Sequence, residues 1–165
     1  MKPFNYLPLL FFVCLACNKE SSEFTGLNFY LTADTLVTTL LNTDEVQPVN
    51  EPFIRYDEIV SYDTANHIFW LNKPVSEFFS YGTGYDGKGF VAMLNTTKIY
   101  CGVFWSPIHS AINPNIIITM PLIENANENC LQIQDGYPGD SFYTGHDDIN
   151  DSRIIAVLIR DHKLR

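Results

Sequence analysis

The chain predicts an α+β domain: a mainly antiparallel sheet of about five strands, with two or three helices packed on one face. Three observations carry this. From Phe90 to Gln134 the sequence is a succession of short apolar runs, rich in β-branched and aromatic residues and separated by polar turns. Two flanking stretches space their apolar residues at the helical period instead. The composition, 46% hydrophobic and 18% charged over 165 residues, is that of a globular chain. A chain of this length buries roughly 70% of its extended surface and needs no metal or disulfide to fold.

Taken in order, Leu27 to Leu31 reads as a first strand. Thr32 to Asn42 carries Ala33, Leu36, Val37, Leu40 and Leu41, the stripe of an amphipathic helix with Thr32 as N-cap. Val46 to Pro52 reads as a loop, because it holds two prolines. Phe53 to Tyr62 stays open between a strand and a helical turn. After a polar break at Asp63–Asn66, His67 to Leu71 is strand-like, and Pro74 to Ser80 suits a short helix with proline in its first turn. Tyr81 to Gly89 is a glycine-rich loop. Phe90 to Leu94 is apolar on both faces, as a strand inside a sheet is. A turn at Asn95–Lys98 leads to Ile99–Trp105 as its hairpin partner. Ile116 to Ile123 and Cys130 to Gln134 are further strands, around an acidic and amide-rich turn at Glu124–Asn129. Asp151 then caps a last helix reaching about Arg160. Ile154 with Leu158 and Ile155 with Ile159 form its buried face, and the basic tail Arg160–Arg165 sits at the negative end of its dipole. A strand is the runner-up there, because so many of the residues are β-branched.

The first residues read as an address rather than as structure. Lys2 precedes an apolar run from Phe4 to Ala16, too short for a stable membrane span and the right length for a signal-peptide core. The run ends Cys14-Leu15-Ala16-Cys17, which resembles the lipobox of bacterial lipoproteins, of the relaxed Bacteroidetes type. Cys14 stands where that family usually has an aliphatic residue. The resemblance implies cleavage before Cys17 and lipidation, with palmitate, on that cysteine. The expected organisation is therefore a signal peptide at 1–16, a polar tether at 17–26 and one domain at 27–165. Lys19-Glu20 faintly resembles the tag that sends some such lipoproteins to the cell surface. The expected location is the cell envelope, at the outer membrane, on its periplasmic or surface face. Loss of Lys2 with the leader leaves nine Lys and Arg against 19 Asp and Glu, a net charge near −10. Such a surface disfavours nucleic acid and anionic membrane faces.

The end of the chain, Tyr143-Thr-Gly-His-Asp-Asp-Ile-Asn-Asp-Ser-Arg-Ile-Ile-Ala-Val-Leu-Ile-Arg160, is similar to the periplasmic head subdomain of the SecD translocase subunit. There too a hydroxyl-glycine pair precedes a polar turn and an amphipathic helix ending in a basic residue. The likeness spans roughly the last 75 residues and implies a head-like α+β fold. Translocase function does not carry over, since the channel segments that perform it have no counterpart here.

Several groupings invite a chemical reading. Gly82 to Gly89 contains both G-x-G-x-x-G and G-x-x-x-x-G-K, but Gly89 replaces the Ser or Thr that would hold magnesium. A strand follows it, not the helix whose N-terminus holds phosphates, so no nucleotide is expected. His67 opens a strand. His109, in Ser106-Pro-Ile-His-Ser110, lacks a visible elbow and orienting carboxylate. His146 with Asp147, Asp148 and Asp151 is the densest group of metal-type donors. Its alternating subset Asp148, Asn150 and Ser152 runs into Arg153 where a calcium loop needs glycine. No metal or other cofactor is therefore expected. Cys101 and Cys130 would close a disulfide loop, although strand parity puts Cys101 on an apolar face and Cys130 on a wet one; the pairing stays open. Tyr81, Tyr85, Trp105, Tyr137, Phe142 and Tyr143 fall in or beside loops, where aromatics either plug the end of a sheet or form a binding surface for proteins or glycans.

These readings favour a membrane-anchored extracytoplasmic lipoprotein that is a non-enzymatic binding or envelope-assembly module. The alternative is an envelope hydrolase using His109 or the loop of His146, Asp147 and Asp148. The second demands a histidine within hydrogen-bond reach of a serine or carboxylate.

Overall fold

The computed structural model describes residues 25–33, 39–78, 84–120, 128–146 and 148–165. Within them lie eight strands: β1 (Leu27–Thr32), β2 (Pro48–Ile54), β3 (Ile59–Asp63), β4 (Ile68–Leu71), β5 (Gly89–Leu94), β6 (Thr97–Trp105), β7 (Asn113–Thr119) and β8 (Cys130–Tyr137). Two short helices, α1 (Val75–Phe78) and α2 (Ser152–Arg160), accompany them. The strands form one sheet in the order β2-β1-β5-β6-β7-β8-β4-β3. Neighbours are antiparallel except β6 and β7, which run parallel.

The sheet is forced to curl. Its two outermost strands, β2 and β3, are consecutive in the chain, joined only through Arg55 and the one-turn 3-10 helix Tyr56–Glu58. A flat eight-strand sheet would set its edges about 34 Å apart. The five steps from Ile54 to Ile59 reach at most about 18 Å. β3 and β4 therefore fold back over β1. The ring of Phe29 on β1 meets that of Phe69 on β4 at 5.4 Å between centroids, although the two strands stand five places apart in the sheet. The enclosed core is aromatic: Phe29, Phe69, Tyr62, Phe90, Tyr100 and Phe104 are all buried in it. Gly102 makes room, since a Cβ there would strike the Ile116 carbonyl and the Phe90 ring. Helix α2 begins at Asp151, whose side chain accepts from the Arg153 amide, and it sinks Ile154 and Leu158 into this core.

The end of the chain seals the seam between the two outer strands. The Tyr62 amide donates to the Lys163 carbonyl (2.7 Å), and the Arg165 amide donates to the Tyr62 carbonyl (2.9 Å), so the tail lies along β3. Lys163 sends its ammonium to the carbonyls of Tyr56 (2.7 Å) and Ile59 (2.5 Å), while it lies 4.1 Å from the Tyr56 ring centroid. Tyr56 donates its hydroxyl to Asp161 at 2.7 Å. The Arg160 guanidinium first, and this hydroxyl second, hold the Asp161 carboxyl well below the usual carboxylate range.

The opposite face of β5–β7 carries Val91, Cys101, Val103, Trp105 and Ile117. Residues 39–46 lie across it as a strap, packing Leu41 and Val46 there. Asn115 on β7, fully buried, clasps the strap: its Oδ1 accepts from the Leu41 amide (2.7 Å) and its Nδ2 donates to the Thr39 carbonyl (2.9 Å). Lys98 donates to the Asp44 carbonyl, and the Thr43 hydroxyl donates to the Cys101 sulfur.

The expectation of about five strands under two or three helices is thus overturned by eight strands in one mixed sheet with two short helices among the described residues. Pro48 and Pro52 hid β2. They are tolerated because β2 is a sheet edge, where a missing N–H breaks no ladder. β3 was hidden by the ambiguity of 53–62, which holds the end of β2, the kink and β3. The strand expected at 116–123 starts earlier, at Asn113, and it pairs in parallel with β6, which strand patterning alone does not reveal. Thr32 is the last residue of β1 rather than a helix cap, and Leu40 to Asn42 are not helical. The rest of that expected helix, 34–38, lies outside the described residues. Leu41 serves instead to cover the second face of the sheet. On α2, Ile154 and Leu158 are buried as expected, but Ile159 is exposed.

Candidate functional site

The segment 106–112 joins parallel neighbours, so it must return along the length of the strands, and it does so over the second face of the sheet. Seven residues replace the dozen or more that such a connection usually takes. It is fastened at three points. Asp86, from the loop before β5, accepts the Ser106 amide through Oδ1 (3.0 Å) and pairs with His109 Nε2 through Oδ2. The His109 ring lies on Trp105, with centroids 4.7 Å apart. Tyr137 donates its hydroxyl to the Pro107 carbonyl at 2.9 Å. The loop that holds Asp86 is itself locked to β6, since the Gly87 amide donates to Phe104 and the Phe104 amide donates to Lys88. Ile108 and Ile112 nevertheless stand out into solvent, 80% and 59% exposed.

His109 therefore has a carboxylate partner, which the sequence did not show because Asp86 lies 23 residues away. The pair is about two-fifths exposed. Ser106 turns its backbone N–H to Asp86, and its hydroxyl accepts weakly from the Ile108 amide at 3.5 Å.

The aromatic residues singled out in the sequence do not form one surface. Trp105 is 5% exposed and packs with Val103 and Ile117, with Tyr137 at its side. Tyr85 sits edge-on to Phe104, and Tyr143 packs against the main core. Phe142 stands at the surface. Tyr81 and Asp147 lie outside the described residues, as do Cys17 and the whole leader.

The loop before α2 is occupied with structural bonds. Asp148 accepts the Asn150 amide (2.8 Å), the Tyr62 hydroxyl donates to Asn150 Oδ1 (2.9 Å), and Asn150 Nδ2 donates to His67 Nε2 (3.0 Å). Ser152 is exposed at the first position of α2. Among the described residues no three His, Cys, Asp or Glu side chains gather as a metal site. His146 instead borders a cleft that Cys101 and Tyr143 also line. Cys101 and Cys130 stand as separate thiols. They occur on β6 and β8, with β7 between them, so strand spacing alone separates them by about 10 Å. The register, which sets Cys101 level with the far end of β8 from Cys130, adds to this, and no disulfide can reach.

Asp135 on β8 was not singled out in the sequence. Its Oδ1 is buried without a partner, and burial pushes its carboxyl up, with Asp148 and Asp140 adding to the shift and His67 opposing it. The folded chain thus holds this proton more tightly than the unfolded chain does, so stability falls as pH rises through the window between the two values. Asp135→Asn should raise stability at about pH 7 by about 1 kcal/mol, and the gain should vanish at about pH 3, where both states are protonated. Urea denaturation at the two pH values measures this; a variant less stable at neutral pH would show that the carboxylate is a needed partner.

No helix among the described residues is long and apolar enough to cross a membrane. No protein-family model, curated protein or solved structure matches the chain.

Proposed function

We propose that the chain is a lipid-tethered, non-enzymatic binding or assembly module of the cell envelope, which engages a partner protein through segment 106–112. The observation that carries this is the contrast on that segment. Asp86, Trp105 and Tyr137 fix its backbone, while Ile108 and Ile112 point away from the domain. Two large apolar side chains held out on one fixed loop offer a partner apolar surface to bury, and a loop already fixed loses little entropy on binding. A glycan is a poorer fit, because sugars stack on open aromatic faces, and the Trp105 ring is covered by His109. The lipobox-like Cys14-Leu15-Ala16-Cys17 supports the tether, and the net charge near −10 suits a domain held off an anionic bilayer.

Crosslinking and pull-down from membranes tests both halves, with wild type beside Cys17→Ser and the pair Ile108→Asp, Ile112→Asp. The aspartate pair should melt within about 0.5 kcal/mol of wild type, since both sites are exposed, and should lose the captured protein. Cys17→Ser should leave the membrane fraction. Undiminished capture by the folded aspartate pair would sink the loop as the contact site. Membrane retention of Cys17→Ser would sink the anchor.

A second reading, an envelope hydrolase, draws on the Asp86–His109 pair, since a carboxylate-oriented histidine is the arrangement of a general base. On that reading wild type cleaves an activated ester such as p-nitrophenyl acetate and Asp86→Asn loses the activity. Equal rates in the two proteins would dispose of it.

A further inference from the structure

Between the strap, Asn115 and the loop before α2 lies a cleft of about 540 Å³, within the size range of small-molecule sites. Its apolar lining is Leu40 and Leu41 on the strap, which keep accessible surface, together with the nearly buried Ile99, Ile116 and Cys101. Its rim carries Lys98, Arg153 and His146, with Asp44 as the acidic side chain among the lining residues. In a chain of net charge −9, the described lining thus holds two cations to one carboxylate. Asp151 neutralises part of Arg153 by a two-point ion pair, so Lys98 is the principal charge. Lys98 spends one ammonium proton on the Asp44 carbonyl (2.9 Å), leaving two to give. The wall is set before any ligand arrives, because Asn115 clasps residues 39 and 41 and the Thr43 hydroxyl holds Cys101.

We propose that this cleft binds a small organic carboxylate with an apolar body: the acid on Lys98, with Arg153 and His146 beside it, and the body on Leu40 and Leu41. The site is distinct from segment 106–112 and stands or falls apart from it. Octanoate is a suitable probe, with octanol as its uncharged counterpart, titrated by calorimetry into the domain. Octanoate should bind saturably at one site while octanol does not. Lys98→Gln should weaken octanoate about tenfold or more, the loss of one charge-assisted hydrogen bond, and Lys98→Glu should abolish binding. His146 ring protons should shift in the NMR spectrum on titration of wild type. Absence of saturable octanoate binding to wild type overturns the proposal, as does equal binding of octanol. So does full affinity in Lys98→Gln, a variant whose partly exposed side chain makes folding failure no concern.

Discussion

Phe29→Ala should cost about 4 kcal/mol of folding stability, the scale of a large aromatic deleted from a packed core. Phe29 is fully buried, and its ring touches four others, those of Phe53, Phe69, Phe90 and Tyr100. The cavity cannot collapse easily, because the surrounding rings are held on four different strands of a curled sheet. The sharper test is the pair Phe29 and Phe69. In a flat sheet these strands would be too distant for contact, and their alanine variants would add. With the sheet folded back, the rings meet edge to face, and a double-mutant cycle should return a coupling of about 1 kcal/mol. Chemical denaturation of the four proteins measures it; strict additivity would mean that β4 does not close over β1.

Lys163→Met is the second large effect, about 2–3 kcal/mol, which is more than most changes this near a chain end produce. The methionine keeps the stem but loses two charge-assisted bonds to the carbonyls of Tyr56 and Ile59 and the contact with the Tyr56 ring. Those carbonyls belong to the kink where the chain passes from one outer strand to the other, so they are left without their donor at the seam. The denaturation midpoint should fall, and exchange of the Tyr62 amide, which bonds to the Lys163 carbonyl, should quicken. An unchanged midpoint would reduce the tail to a surface appendage. Both variants probe the same geometrical fact: two strands consecutive in sequence are the two borders of one sheet.

Some of this was legible in the residues and some was not, and the division follows the range of the forces involved. Helix α2 was readable because its information is local. Asp151 accepts from an amide two residues on, and Ile154 and Leu158 lie one turn apart. The hairpin of β5 and β6 was readable for the same reason: the apolar runs flank a short polar turn. β2 was not, because a proline is harmful inside a sheet and harmless at its border, and only the sheet order says which applies. The parallel pairing of β6 with β7 leaves no mark in either strand. The spacing of Leu40 and Leu41 within their stretch suggested a helix, whereas the described end of that stretch is a strap that needs one apolar side chain to cover Val103 and Ile117. The candidate sites divide in the same way. The sequence by itself supplied the lipobox-like Cys17, a linear signal, and it drew attention to His109. Only the tertiary structure brought Asp86 to that histidine and gathered Lys98 and Arg153 around one cleft. Residue types and short spacings fix local bonds; a site made of segments 20 to 70 residues apart exists only once the curled sheet has decided which strand ends meet.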